Sequence, residues 1–105
     1  MNNAELHALG YSDEDIADLV GRIARAAAYQ LVAHERGGTW QDYAHRAPAD
    51  LLGDERWKRL ATFTIGAASG LEMDVEIDDD GPVVREATLL RMGGIALAQF
   101  MVQPE

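Results

Sequence analysis

The stretch SDEDIADLVGRIARAAAYQLVAHERGG, residues 12–38, decides the fold class. Ser12 stands before Asp13, Glu14 and Asp15, so its hydroxyl is placed to accept from the unpaired N–H groups that open a helix. An acid at the third helical position makes this a weaker relative of the capping box, which prefers Glu or Gln there. Tyr11 and Ile16 flank the cap at the spacing of a hydrophobic staple. Ile16, Leu19, Val20, Ile23, Ala27 and Leu31 then recur at helical spacing and form one apolar stripe. Acids fill the first turns, while Arg22, Arg25, His34 and Arg36 come later, the order that a helix dipole prefers. Gly37-Gly38 closes the segment, because glycine reaches the left-handed backbone conformation at little cost. The pattern predicts a helix over 13–36.

Working outward, residues 1–10 are a lead-in with a short helical turn around Leu6 and Leu9 before Gly10. On the other side, Thr39 is set to cap a short helix from Trp40, with Asp42 at its third position. Pro48 suits the first position of a further turn that carries Leu51 and Leu52 inward before Gly53. Asp54 is expected to cap a second long helix over 55–69, with Trp57, Leu60, Ala61, Phe63, Ile65 and Ala68 on its buried side and Gly70 at its end.

At Leu71 the period changes. Leu71, Met73, Val75 and Ile77 alternate with Glu72, Asp74, Glu76 and Asp78, a repeat of two that sends apolar and acidic side chains to opposite faces of a strand. Asp79-Asp80-Gly81-Pro82 reads as a turn, and Val83-Val84 as the start of a returning strand. The alternative is that Pro82 opens the next helix directly. From Arg85 to Val102 the chain is apolar on nearly all sides, interrupted by Gly93-Gly94, a pair suited to a break or to the close approach of a second backbone. So apolar an end is expected to bury itself centrally or against a second copy of the chain, with Ile95, Leu97, Phe100 and Met101 at the interface of a homo-oligomer, a dimer in the simplest case. The expectation is a single mainly α domain over 1–105, a small α+β fold: an antiparallel helical bundle with a short β-strand or hairpin near 71–84.

Composition limits the function. The 105 residues hold 9 basic and 18 acidic side chains, a net charge of −9, with 48% hydrophobic residues. That apolar share belongs to a globular domain rather than a disordered acidic tail. The charge opposes direct nucleic-acid binding, which requires a basic field. No apolar run approaches the ~20 residues of a membrane span, and no cleavable signal pattern opens the chain, so a cytoplasmic location is expected. There is no cysteine, which excludes thiol chemistry and disulfides. His7, His34 and His45 have no metal-ligand spacing, and Ser12 and Ser69 lie in no nucleophile elbow. No catalytic residue, metal or cofactor is expected.

Two binding readings remain. Glu72, Asp74, Glu76, Asp78, Asp79 and Asp80 place six carboxylates within nine residues. As a calcium loop counted from Glu76 the segment fails, since its twelfth position is Ala87 and no helix leads into it. As an exposed strand face and turn it offers a surface to a basic protein partner, whose charge would relieve the mutual repulsion of the acids. This is the profile of a non-enzymatic interaction or regulatory protein, such as a phage or bacterial inhibitor or accessory factor. The other reading is a helical module that binds a small or nucleotide-like ligand, with Trp40, Tyr43, Arg46, Arg56 and Trp57 forming an aromatic and arginine pocket.

Overall fold

The structure, a computed structural model, describes residues 3–68, 75–78 and 81–102; for Asn3, Ala68, 75–78 and 81–84 it describes the backbone alone. Five α-helices dominate these residues: α1 (Asn3–Ala8), α2 (Asp13–Arg36), α3 (Pro48–Leu52), α4 (Asp54–Ala68) and α5 (Glu86–Met101). A 3-10 turn, Trp40–Asp42, joins α2 to α3, and two strands, β1 (Val75–Asp78) and β2 (Gly81–Val84), join α4 to α5.

Local chemistry sets the ends of α2. The Asp15 N–H donates to Ser12 Oγ at 3.2 Å and the Ser12 N–H donates to Asp15 Oδ2 at 3.1 Å, so the aspartate completes a full capping box. Tyr11 packs onto the cluster that contains Ile16, as the staple requires. At the other end Gly37 has φ +88°, and its N–H donates to the Ala33 carbonyl. The next turn begins in the same way, with the Thr39 N–H donating to Asp42 Oδ2 at 2.9 Å.

The centre of the molecule is α2, which differs from the single buried stripe and buried final helix expected. Ala26, Ala27, Ala28, Tyr29, Leu31 and Val32 are all buried, so the middle of α2 is covered on most sides. Short alanine side chains let neighbouring helices approach closely there. Three apolar clusters radiate from it. Leu6 of α1, Met92 of α5 and the first half of α2 form one; Leu60 of α4 and Leu97 of α5 pack on Ala27, Ala28 and Leu31 in the second; Leu51 of α3 packs on Tyr29 and Val32 in the third. Leu9 stays half exposed outside the first cluster, so Leu6 is the buried apolar anchor of α1.

Glu35 at the end of α2 meets Arg56 at the start of α4, while Ala27 to Leu31 meet Leu60 a turn further along, so these two helices run antiparallel. Helix α4 starts at Asp54 rather than after it, and its first turn is closed by the Trp57 N–H donating to the Gly53 carbonyl. Its buried stripe also departs from expectation. Leu60 and Thr64 are fully enclosed, whereas Ile65 is 55% exposed, because five residues at about 100° each carry it away from the Leu60 face. Thr64 tolerates burial because its hydroxyl donates to the Leu60 carbonyl at 2.8 Å.

Helix α5 runs unbroken through Gly93-Gly94. A Cβ on Gly93 would lie 2.8 Å from the Ala27 nitrogen and 3.1 Å from the Ala26 carbonyl carbon, so this glycine is where the two backbones meet. Thr88, Met92, Gly93, Ala96 and Leu97 form the buried face, while Ile95 and Met101 remain 42% and 49% exposed. Pro82 lies within β2, and the helix begins after Arg85. The strands pair antiparallel, with Val75 opposite Val84 and Asp78 opposite Gly81. The expected strand residues 71–74, the helix stop at Gly70 and the turn acids Asp79 and Asp80 lie outside the described residues.

Candidate functional site

One face of α2 carries Arg22, Arg25, Ala26 and Tyr29, at the spacing that stacks side chains along a helix. Opposite them stand Glu86, Leu89 and Leu90 of the first turns of α5, and Trp40 closes a third side. Between them is a cleft of about 200 Å³. The two helices are held at this separation by Gln30, whose Nε2 donates to the Leu90 carbonyl at 2.9 Å and to the Ala26 carbonyl at 3.1 Å.

The polar groups of the cleft are ordered by one tyrosine. Tyr29 is buried, and its hydroxyl donates to the Arg46 carbonyl at 2.7 Å. With its proton committed there, the phenolic oxygen accepts from Arg25 Nη2 at 3.2 Å. Arg25 therefore has its guanidinium fixed from one side, and it has no carboxylate partner among the described residues. Arg22 pairs with the exposed Asp18 at 3.2 Å, one turn earlier. The remaining surface is apolar: Ala26, Leu89, Leu90 and the half-buried indole of Trp40.

Of the five residues expected to form an aromatic pocket, Trp40 lines this cleft and the other four are placed elsewhere. Tyr43 donates its hydroxyl to the Gly37 carbonyl at 2.6 Å and packs with Trp40 against the Leu51 cluster. Arg46 is exposed and contributes its backbone carbonyl to Tyr29. Trp57 packs against the separate cluster around Leu60. Arg56 makes a two-pronged contact with Glu35, at 2.8 and 2.6 Å. The residues that reasoning from sequence passed over are Arg22 and Arg25, which the dipole argument accounted for without a ligand. Their spacing to Tyr29 was the available signal; that α5 would close the cleft had none.

The Glu35–Arg56 pair has a pH signature. The hydrogen bonds from Arg56 hold the Glu35 carboxyl below its usual value of 4.5, and the guanidinium is raised in turn. A lowered folded-state value means that the pair stabilises the fold fully above the ordinary carboxylate range and loses that contribution as pH falls through the folded value. Both side chains are about 40% exposed, so solvent screening limits the pair to about 0.2–1 kcal/mol. Glu35→Gln is therefore expected to lower stability at pH 7 by that amount, and the difference from wild type should vanish at strongly acidic pH in urea titrations. A difference that persists unchanged there would rule out this pair as its source.

The residues expected at a dimer interface separate into two kinds. Leu97 is buried in the monomer, and Phe100 sets its ring edge-on to Phe63 at 5.7 Å with Arg59 5.9 Å from its centroid. Ile95 and Met101 face outward. Of the acidic segment, Glu76 and Asp78 are described as backbone positions of β1, and Glu72, Asp74, Asp79 and Asp80 lie outside the described residues. His7 contacts Asp13 at 3.0 Å, His34 and His45 are exposed, and no group of three potential metal ligands occurs among the described residues. No helix among them is long and apolar enough to cross a membrane. Comparisons with protein-family models, with curated proteins and with solved structures found no significant match.

Proposed function

We propose that this chain is a non-enzymatic interaction protein whose segment 72–80 docks on a basic surface of a protein partner. The observation that carries this reading is the distribution of charge. Six of the nine net negative charges fall within nine residues, and no Lys or Arg occurs between Leu71 and Val84. Elsewhere arginines already have partners: Arg22 holds Asp18, Arg36 donates to the Leu51 carbonyl, and Arg56 holds Glu35. The extended backbone at 75–78, paired with 81–84, supports the reading, since the alternation of apolar and acidic residues from Leu71 to Asp78 is the pattern of a strand. The partnership would be formed by long-range attraction and weakened by salt. The reading includes a homodimer through the outward residues of α5, Ile95 and Met101.

Position, rather than net charge, is what the test must isolate. Asp74→Lys with Glu76→Lys should abolish the salt-sensitive retention of a basic partner from host extract. Glu14→Lys with Glu55→Lys changes the net charge equally at exposed helical sites and should leave retention intact. Equal loss in both double variants, or in neither, would overturn the docking segment.

A further inference from the structure

The geometry points to a second, independent site: the cleft between α2 and α5 binds a small planar monocarboxylate. Three features select that ligand class. The volume of about 200 Å³ equals roughly seven waters at their liquid density, which is room for one ring bearing a carboxylate. The walls at Ala26, Leu89, Leu90 and Trp40 favour a flat apolar body. The third feature is Arg25. Tyr29 orients its guanidinium and uses one of the five N–H donors, and the planar fork that remains matches a carboxylate in two-pronged geometry.

Glu86 narrows the choice further. It stands on the rim with no ion-pair partner among the described residues, so it opposes a second negative charge in the cleft. A phosphate ester, which carries close to two charges at neutral pH, is disfavoured against a monoanion. Arg22 adds a second cation on the rim, but one already shared with Asp18. Arg25 is therefore the anchor, Tyr29 the residue that positions it, and Trp40 the stacking surface. The site uses no residue of the segment 72–80, so the two proposals fail separately.

The test uses the intact chain and benzoate as the probe, with benzamide and phenyl phosphate, built on the same single ring, as comparators. The readout is the shift of the Trp40 indole N–H and Arg25 side-chain signals in a nuclear magnetic resonance titration to millimolar probe. Saturable shifts are expected with the carboxylate, with affinity at least about tenfold lower for the amide, because a charge-assisted hydrogen bond is lost. Arg25→Gln should weaken the carboxylate by a similar factor. Arg25→Lys should fall between, since it keeps the charge without the fork. Arg56→Gln, on the far pair with Glu35, should bind as wild type. Unmoved Trp40 and Arg25 signals at 10 mM probe, or equal affinity for carboxylate and amide, would overturn the site. Should Arg25→Gln fail to fold, the unaltered chain still decides it: phenyl phosphate should bind more weakly than the carboxylate, and a phosphate bound as tightly or more tightly would overturn the choice of a monocarboxylate.

Discussion

Gly93→Ala is expected to lower the stability of the fold by about 1–3 kcal/mol, the usual penalty of overpacking, although alanine is the better helix former by about 1 kcal/mol. The new methyl would sit 2.8 Å from the Ala27 nitrogen and 3.1 Å from the Ala26 carbonyl carbon. Both are backbone atoms of the central helix and cannot swing aside as a side-chain terminus can. Relief requires α5 to move off α2, which loosens Met92 and Leu97 in two separate apolar clusters. The adjacent glycine supplies the control. A methyl at Gly94 meets Gln30 Oε1 at 3.3 Å, a side-chain atom that need give by only a few tenths of an ångström, a shift that the two hydrogen bonds from Nε2 of the same amide can absorb. Gly94→Ala should therefore be neutral or stabilise by up to about 1 kcal/mol through helix propensity. Urea denaturation of both variants checks the contrast. A domain of this size is stable by only about 5–15 kcal/mol, so the Gly93 penalty is readily measured. Equal stability of the two variants would mean that the helices do not meet at Gly93.

Features set within a few residues of one another were legible before the structure. The cap at Ser12, the stop at Gly37 and the turn beginning at Thr39 each depend on bonds spanning three or four residues. The glycine pair in α5 was legible as a choice between a break and a close approach, and the second is what occurs. Errors arose where hydrophobic character was read without its phase. Ile65 is as apolar as any residue of α4, yet the angle from Leu60 turns it outward, and Thr64 takes the inward place by satisfying its own hydroxyl. The burial of α2 was missed for the opposite reason. A run of alanines is compatible with solvent and with a crowded core, and only the neighbours decide. The cleft was the least legible feature, since its two walls are joined by Gln30 and Leu90, which are 60 residues apart in the chain. Nothing in the local pattern of either helix announces the other.

Leu97→Glu should unfold the chain, whereas Ile95→Glu should leave the monomer intact and report on self-association alone. Leu97 is enclosed by Ala27, Ala28, Leu31 and Leu60, an apolar group. Truncating such a leucine costs about 2–5 kcal/mol, and an unpaired charge in its place adds the loss of its hydration. The sum is comparable to the whole stability of a small domain. A folded Leu97→Glu protein with wild-type melting behaviour would refute the packing of α5 on α2 and α4. Ile95 is 42% exposed, so a charge there costs within about 0.5 kcal/mol in an isolated chain. At a dimer interface the same carboxylate would be buried against its symmetry mate, and the mass by light scattering should fall from two chains to one. A wild-type chain that stays at the mass of one chain up to millimolar concentration would remove the homodimer from the proposal. The two substitutions lie two residues apart and differ by about 200° around the helix, and that angle makes one a test of folding and the other a test of assembly.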